Sequence, residues 1–261
     1  YLPTSLLYFF YRGLAAYQIN ADSNGCAAGN TLEEAIVQGF LALVERDAYA
    51  IWWYNRSLRA EVELDQFDDP YIRELKIQLA ETGRRLWVLD VTSDLGIPCF
   101  VAITHWMENS QEFLEFGSGA HFDARIAVLR TMTELNQFLS IGLMGDRDQS
   151  PSSQDSDHDS VPTFRLQDHP YLTPSGTQVV RPDLGSEFGR LDTREQVMAC
   201  VNLAKRTGLD FLVLDQTRPD IEVPVVRVIV PGLRHFHRRF APGRLYDVPV
   251  KLGWRDRLLP E

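Results

Sequence analysis

Only three of the 261 residues are cysteine, Cys26, Cys99 and Cys200, and their odd number and wide spacing exclude a disulfide framework and a zinc-ligand pattern. Such usage fits a reducing cytoplasm. No stretch approaches the roughly 20 consecutive apolar residues that cross a bilayer, so no membrane partner is expected. Residues 1–11 lack the basic leader and small-residue cleavage site of a signal peptide, and their Leu-Leu-Tyr-Phe-Phe-Tyr core reads as a buried strand. Positive charge is also short: 26 Lys and Arg against 36 Asp and Glu leave a net charge of −10, the wrong sign for a nucleic-acid binder. The basic residues that do gather, Arg227, Arg234, Arg238, Arg239 and Arg244, read equally as solvated charges or as a clamp on phosphate or peptide backbone. His235 and His237 alternate as two metal ligands on a strand would, but no third ligand accompanies them at a known spacing.

Hydrophobic residues make up 44% of the chain, ample for one large domain or two small ones. The most informative stretch, residues 23–47, joins a turn of small residues to a helix. Thr31 followed by Glu34 is a capping box, which starts the helix at Leu32 and leaves its first free N–H groups beside the glycines of the turn. A helix start of this kind attracts phosphate. Leu32, Ala35, Ile36, Gly39, Phe40, Leu43 and Val44 supply an apolar stripe, with Glu34, Gln38, Glu45 and Arg46 on or near the opposite face. The spacing of Glu34 and Arg46 is taken as close to a whole number of turns, which sets both beside Asn30 and facing one cleft. Carboxylates, an amide and a guanidinium in one groove are the groups that hold a hydrated Mg²⁺ and the phosphates it bridges. An ordinary solvated helix face has the same pattern, with Glu34 doing no more than closing the box.

A unit of helix, glycine stop, strand, turn and strand occurs twice. In the first copy residues 69–82 carry helical spacing, Gly83 supplies the stop, and residues 85–91 and 98–104 read as strands. In the second, Thr193 with Gln196 opens a helix that runs to Gly208, and residues 211–215 and 224–230 are the matching strands. The duplication predicts an α/β (α+β) fold in which two equivalent helix–strand–strand units share mixed sheets. Asp90 and Asp215 fall at equivalent strand ends, where an aspartate is either catalytic or a turn cap. Residues 146–160 are almost wholly Asp, Ser, Gln, Arg, His and Pro; they cannot bury enough apolar area to offset the entropy of ordering and read as a disordered insertion.

The run Ser23-Asn24-Gly25-Cys26-Ala27-Ala28-Gly29-Asn30-Thr31-Leu32-Glu33-Glu34-Ala35, with Gln38-Gly39-Phe40, Val44-Glu45-Arg46-Asp47-Ala48 and Trp52-Trp53-Tyr54-Asn55-Arg56, closely resembles the second ATP-site segment of the YcaO cyclodehydratases. Those enzymes make thiazolines and oxazolines in ribosomally made peptides. Residues 123–127 with Arg130-Thr131-Met132-Thr133-Glu134-Leu135-Asn136-Gln137 resemble the family's Arg-x-x-Thr-Glu-x-x-Gln helix, and residues 227–233 and 243–249 resemble its terminal region. On this resemblance residues 1–261 form part of one YcaO-like domain, with only the serine-rich segment outside it. The resemblance implies ATP and Mg²⁺ as cofactors, Asn30, Arg46 and Arg130 as nucleotide contacts, Glu34, Gln38 and Glu45 as metal ligands, and Glu134 and Gln137 as supporting residues. It singles out no catalytic residue.

Two departures stand out. The family helix reads Glu-x-x-Glu-Arg, but its first position here is Ala42, so one carboxylate is missing. The family's first ATP-site segment, a Gly-Lys-Gly turn with its own Glu-x-x-Glu-Arg helix, would precede Tyr1, and its proline-rich tail would follow Glu261. The chain thus resembles the C-terminal part of a larger protein and is expected to be inactive alone. The resemblance further implies ATP-dependent cyclodehydration of Cys, Ser or Thr in a precursor peptide, through phosphorylation of the amide-derived oxygen. A leader-peptide-binding domain or protein and a second copy of the chain, as a homodimer, are the implied partners. A non-catalytic peptide-binding scaffold with a decayed ATP site, or a YcaO enzyme that forms thioamides or amidines, are the alternatives.

Overall fold

The computed structural model describes residues 2–8, 21–144, 165–178, 183–237 and 240–257; the insertion expected at 146–160 lies outside them, as do Arg238 and Arg239. In chain order the elements are α1 (Thr4–Leu7), β1 (Cys26–Ala28), α2 (Leu32–Asn55), β2 (Glu61–Val62), α3 (Pro70–Glu81), β3 (Arg85–Asp90), β4 (Cys99–Glu108), β5 (Gln111–Ala120), α4 (Ala124–Met144), β6 (Thr177–Gln178), α5 (Thr193–Arg206), β7 (Leu212–Asp215), β8 (Val225–Ile229) and α6 (Arg244–Lys251). Among the described residues no helix is long and apolar enough to cross a membrane. Of the strand expected at residues 6–11, residues 9–11 lie outside the described ones, while Leu6 and Leu7 belong to the single turn α1, which buries none of its residues.

Two compact units result: Tyr1–Arg46 with Leu191–His235, and Asp47–Arg190 with Phe236–Glu261. In the first, β8 lies between β1 and β7, antiparallel to both, with Cys26 opposite Arg227 and Asp215 opposite Val226. The leading part of α2 packs on this sheet through Gly39. A Cβ on Gly39 would come within 2.7 Å of both Gly25 O and Val228 Cγ2, so only hydrogen lets helix, turn and strand meet there. In the second unit the strand order is β5-β4-β3-β2-β6. β4 and β5 form a hairpin closed by Asn109 and Ser110, both at positive φ (50° and 63°), the backbone a two-residue type I′ turn requires. Phe67, Ile72, Leu75, Val88, Phe100, Val128, Met132 and Leu135 build its core. Gly117 on β5 lets α4 approach closely, since a Cβ there would lie 2.3 Å from Leu135 N.

The internal duplication holds at the level of individual hydrogen bonds. Thr82 and Thr207 cap α3 and α5, each hydroxyl donating back to carbonyls one turn earlier, and Gly83 and Gly208 follow at φ 71° and 75°. Asp90 Oδ1 accepts from Thr92 N–H and Asp215 Oδ1 from Thr217 N–H, both at 2.9 Å. The Oγ1 of Thr92 accepts from Cys99 N–H at 3.1 Å, and that of Thr217 from Val225 N–H at 3.2 Å. Both aspartates therefore cap turns. Two boundaries differ from expectation. The N-cap of α5 is Asp192 in a capping box with Glu195, one residue before the expected Thr193, because aspartate accepts the N–H of the third helical residue. The copies also do not share a sheet: the outer edge of β4 is taken by β5 and that of β8 by β1, so each copy completes its own. Of the pairings among described strands, β2 with β6 is parallel and the rest antiparallel.

Candidate functional site

In the first unit, α2 starts at Leu32 as the capping pattern requires. Thr31 Oγ1 accepts from Glu34 N–H at 3.2 Å, and Glu34 Oε2 accepts from Asn30 N–H at 2.8 Å, one residue further back than in a reciprocal box. Glu34 Oε1 and the Asn30 side-chain amide have no hydrogen-bond partner among the described residues. Residues 22–30 then run back along the helix. At the far end of this segment Arg46 donates Nη1 to Asn24 Oδ1 (2.7 Å) and Nη2 to Ser23 Oγ (2.9 Å).

The shared cleft-facing side expected for Glu34 and Arg46 does not follow from helix geometry. At about 100° per residue, twelve residues overshoot three turns by about 120°, so Arg46 lies about a third of a turn away from Glu34. Gln38 and Glu45 do share the Glu34 side, at about 40° and about 20°. Along the axis Gln38 is about 6 Å from Glu34 and Glu45 about 16 Å. With Mg²⁺–oxygen distances of about 2.1 Å, Glu34 and Gln38 can meet at one ion and Glu45 cannot join them. The expected apolar stripe is also wider than drawn. Leu32 is 38% exposed, while Val37, Leu41, Asp47, Ala48 and Ile51 are buried.

The turn that receives Arg46 is itself anchored from β8. Arg227, 3% exposed, donates to Asp22 O at 3.0 Å and Asp22 Oδ1 at 3.1 Å, and the same Oδ1 accepts Asn24 N–H at 3.0 Å. Arg227, Asp22, Asn24 and Arg46 thus form one chain of hydrogen bonds that fixes the small-residue turn. Burial holds the Cys26 thiol above its ordinary value, against the opposing pull of Arg227, so it stays protonated at neutral pH and is a poor nucleophile.

The Arg130 helix belongs to the second unit. Glu134 Oε2 accepts from Ser118 Oγ at 3.0 Å and from Ser118 N–H, a contact that the close fit of α4 on β5 permits. Arg130 donates to Ala120 O at 3.4 Å, and Gln137 is exposed on the same helix. Glu134 borders a cavity of about 320 Å³ walled by the rings of Tyr49, Trp53, Tyr54, Phe116, Phe138 and Phe236. Burial, aided by Tyr171 and Glu134, drives the Tyr49 hydroxyl well above its ordinary value, so it stays protonated. Of the arginines that crowd the C-terminal region, Arg244 is internal here: it bonds Asp47 Oδ2 at 2.6 Å and Asp94 Oδ1 at 2.7 Å, with Lys251 also on Asp94 at 3.0 Å. Asp47 is fully buried. These charge networks escaped the sequence because their partners lie between 150 and 205 residues apart.

A family model described as YcaO cyclodehydratase, ATP- and Mg²⁺-binding, matches residues 1–234. The chain belongs to the YcaO family. A solved heterocyclase in complex with substrate and cofactor is 47% identical, with a TM-score of 0.89; the match covers 100% of this chain and 35% of that one. YcaO from Methanopyrus kandleri bound with AMPPCP and Mg²⁺ is 25% identical over 90% of this chain and 64% of its own, with a TM-score of 0.64. A Methanothermobacter thermautotrophicus protein of unassigned role is 30% identical over 219 residues, 83% of this chain and 56% of that protein. The YcaO chain therefore spans a little over half of that relative and about a third of the heterocyclase. The side-chain oxygens of Glu34 and Gln38 are of the hard kind that Mg²⁺ prefers, and Glu34 Oε1 has no hydrogen-bond partner among the described residues.

Proposed function

We propose that this YcaO chain is the nucleotide-binding part of an enzyme that converts Cys, Ser or Thr residues of a ribosomally made precursor peptide to thiazolines or oxazolines. The side-chain sulfur or oxygen adds to the preceding carbonyl carbon, the carbonyl oxygen is phosphorylated, and that oxygen leaves as phosphate while the C=N bond forms. ATP with Mg²⁺ supplies the phosphoryl group and neutralises its charge. The observation that carries the reading is the placement of Glu34, with its unpaired Oε1, at the start of α2 and on the same helix side as Gln38 and Glu45. In this reading Glu34 and Gln38 hold one hydrated ion and Glu45 serves further along. Asn30, Arg46 and Arg130 contact the nucleotide, and Glu134 and Gln137 support them. The likeness to a heterocyclase in complex with substrate and cofactor supports the same assignment. A leader-peptide-binding domain or protein and a second copy of the chain are the partners it calls for. Ala42, where the family pattern has a carboxylate, favours a second reading as a peptide-binding scaffold without turnover.

Titration of Mg-ATP into the chain and into Glu34→Gln separates the two. Glutamine still accepts the Asn30 N–H, so the helix cap survives, but a charged ion ligand is lost. The variant is expected to bind Mg-ATP at least tenfold more weakly at unchanged thermal stability, a loss of about 1.4 kcal/mol or more. Equal affinity in the two proteins sinks the assignment, and absence of binding by the parent chain supports the scaffold. No peptide turnover is expected from the 261 residues alone, given the share of the heterocyclase they span.

A further inference from the structure

Arg227 and Arg244 are paired inside their units, so the anion clamp considered for the C-terminal arginines does not rest on them. A different set lines an open cleft of about 800 Å³ formed by residues 55–59 and 253–257. It carries four guanidinium groups, from Arg56, Arg59, Arg255 and Arg257, against the single carboxylate of Asp256, in a chain of net charge −10. Arg255 caps the end of α2 by donating Nε to Asn55 O at 3.1 Å, with Nη2 on the same oxygen. Arg59 donates Nε to Asp90 O at 2.7 Å and lies 3.9 Å over the Trp254 ring, which leaves both its Nη groups without a hydrogen-bond acceptor among the described residues. Burial disfavours the Arg59 charge, with Asp90 the compensating carboxylate. The Arg56 and Arg257 side chains are exposed and have no hydrogen-bond or ion-pair partner among the described residues.

Ser57 adds an independent sign of a ligand. It is 3% exposed, lines the cleft, and its Oγ has no hydrogen-bond partner among the described residues. A buried polar group left unpaired costs about 1–3 kcal/mol, so a native hydroxyl in that state calls for a partner. Arg56 beside it has φ 49°, a left-handed backbone that a non-glycine residue adopts at a cost of about 1 kcal/mol or more.

We propose that this cleft binds side-chain carboxylates of an acidic peptide segment. Planar guanidinium forks match carboxylates in pairs, and several of them spread around a wide cleft suit several carboxylates better than one compact ion. Leu58, 57% exposed, and the Trp254 ring offer apolar contact for the methylene groups between them. The cleft shares no residue with the nucleotide assignment and stands or falls separately from it.

Anisotropy of a fluorescent Glu/Asp-rich peptide titrated with the 261-residue chain tests this. Arg56→Gln with Arg257→Gln is expected to weaken binding at least tenfold, and Arg257→Gln alone about threefold, with the thermal midpoint and Mg-ATP affinity unchanged. Raising salt from about 50 mM to about 500 mM should weaken the parent complex in the same direction. Equal binding by the double variant overturns the proposal, as does equal binding of a Lys-rich peptide of the same length. Displacement by inorganic phosphate at the concentration of the peptide's own carboxylates reassigns the cleft to free phosphate and overturns it too.

Discussion

β3 of the first helix–strand–strand copy carries four consecutive buried residues, Trp87 to Asp90, whereas none of the four residues of β7 in the second is buried. Yet their caps, glycine stops and Asp–Thr turns match bond for bond. The difference teaches which parts of the unit are self-sufficient. A capping hydroxyl or an aspartate at a strand end needs only its own backbone, so it survives in either setting. Burial depends on neighbours: β3 lies between β2 and β4, while β7 is an edge strand. The connecting turns diverge in the same way. The Asp94 side chain in the first is 6% exposed and bonds Arg244 and Lys251; Asp220 in the second pairs with Arg218 in solvent, with both side chains more than 60% exposed.

The turns give the largest contrast. Asp94→Ala leaves Lys251 without this partner and Arg244 with Asp47 alone, and breaking a buried ion pair typically costs about 3 kcal/mol or more. Asp220→Ala should leave the urea midpoint where it is, because an exposed pair is screened by solvent. If both variants unfold at the parent midpoint, the Asp94 network adds nothing net to the second unit. Next in size is the matched pair of valines. Val88 is fully buried and Val213 is 42% exposed. Val88→Ala should cost about 2 kcal/mol through lost burial and an unfilled cavity, and Val213→Ala less than about 0.5 kcal/mol. Equal costs would mean that β7 is covered in solution.

The same contrast separates what was legible in the sequence from what was not. The start of α2, the two glycine stops and the offset between the copies depend on residues within a few positions of one another, and they read correctly. The sheet assignment did not, because strand edges are filled by β1 and β5, which lie outside the repeat. Nor did the relation of Glu34 to Arg46, where a count of residues was taken for a count of turns; Glu45, not Arg46, continues the Glu34 side. The pairs Arg227–Asp22 and Arg244–Asp47 and the cleft around Ser57 were invisible, since their members meet only after the chain has folded. Asp22 lies one residue before the motif run and anchors its turn, a role that no local pattern announces.

The smallest effect concerns pH and falls just beyond the first copy. His121 follows β5, and its Nδ1 accepts the Asp123 N–H at 3.0 Å, which requires that nitrogen to be unprotonated. Burial, then the nearby charge of Arg130, pushes its pKa from 6.5 down to about 4. Since the folded value is depressed, the unfolded chain binds the proton first. The stabilisation is therefore fully present above about pH 6.5 and is lost as pH falls from there through about 4. His121 is partly open to solvent, so the loss is on the order of 1 kcal/mol rather than the larger figure the shift alone would give. The second copy, residues 193–229, contains no histidine, and neither do residues 69–104 of the first. Its Asp215 is held below the usual carboxylate value of 3.8 by hydrogen bonds from Thr217, so its contribution is present above that value and fades only at lower pH. Urea melts of the chain and of His121→Asn at pH 7.5, 5 and 4 test the difference, because asparagine keeps an acceptor for the Asp123 N–H without a titrating group. The parent should lose stability relative to the variant on going from pH 7.5 to 4, with most of the loss between about pH 6.5 and 4. A constant difference across that range would show that His121 is as free to protonate in the folded protein as in the unfolded chain.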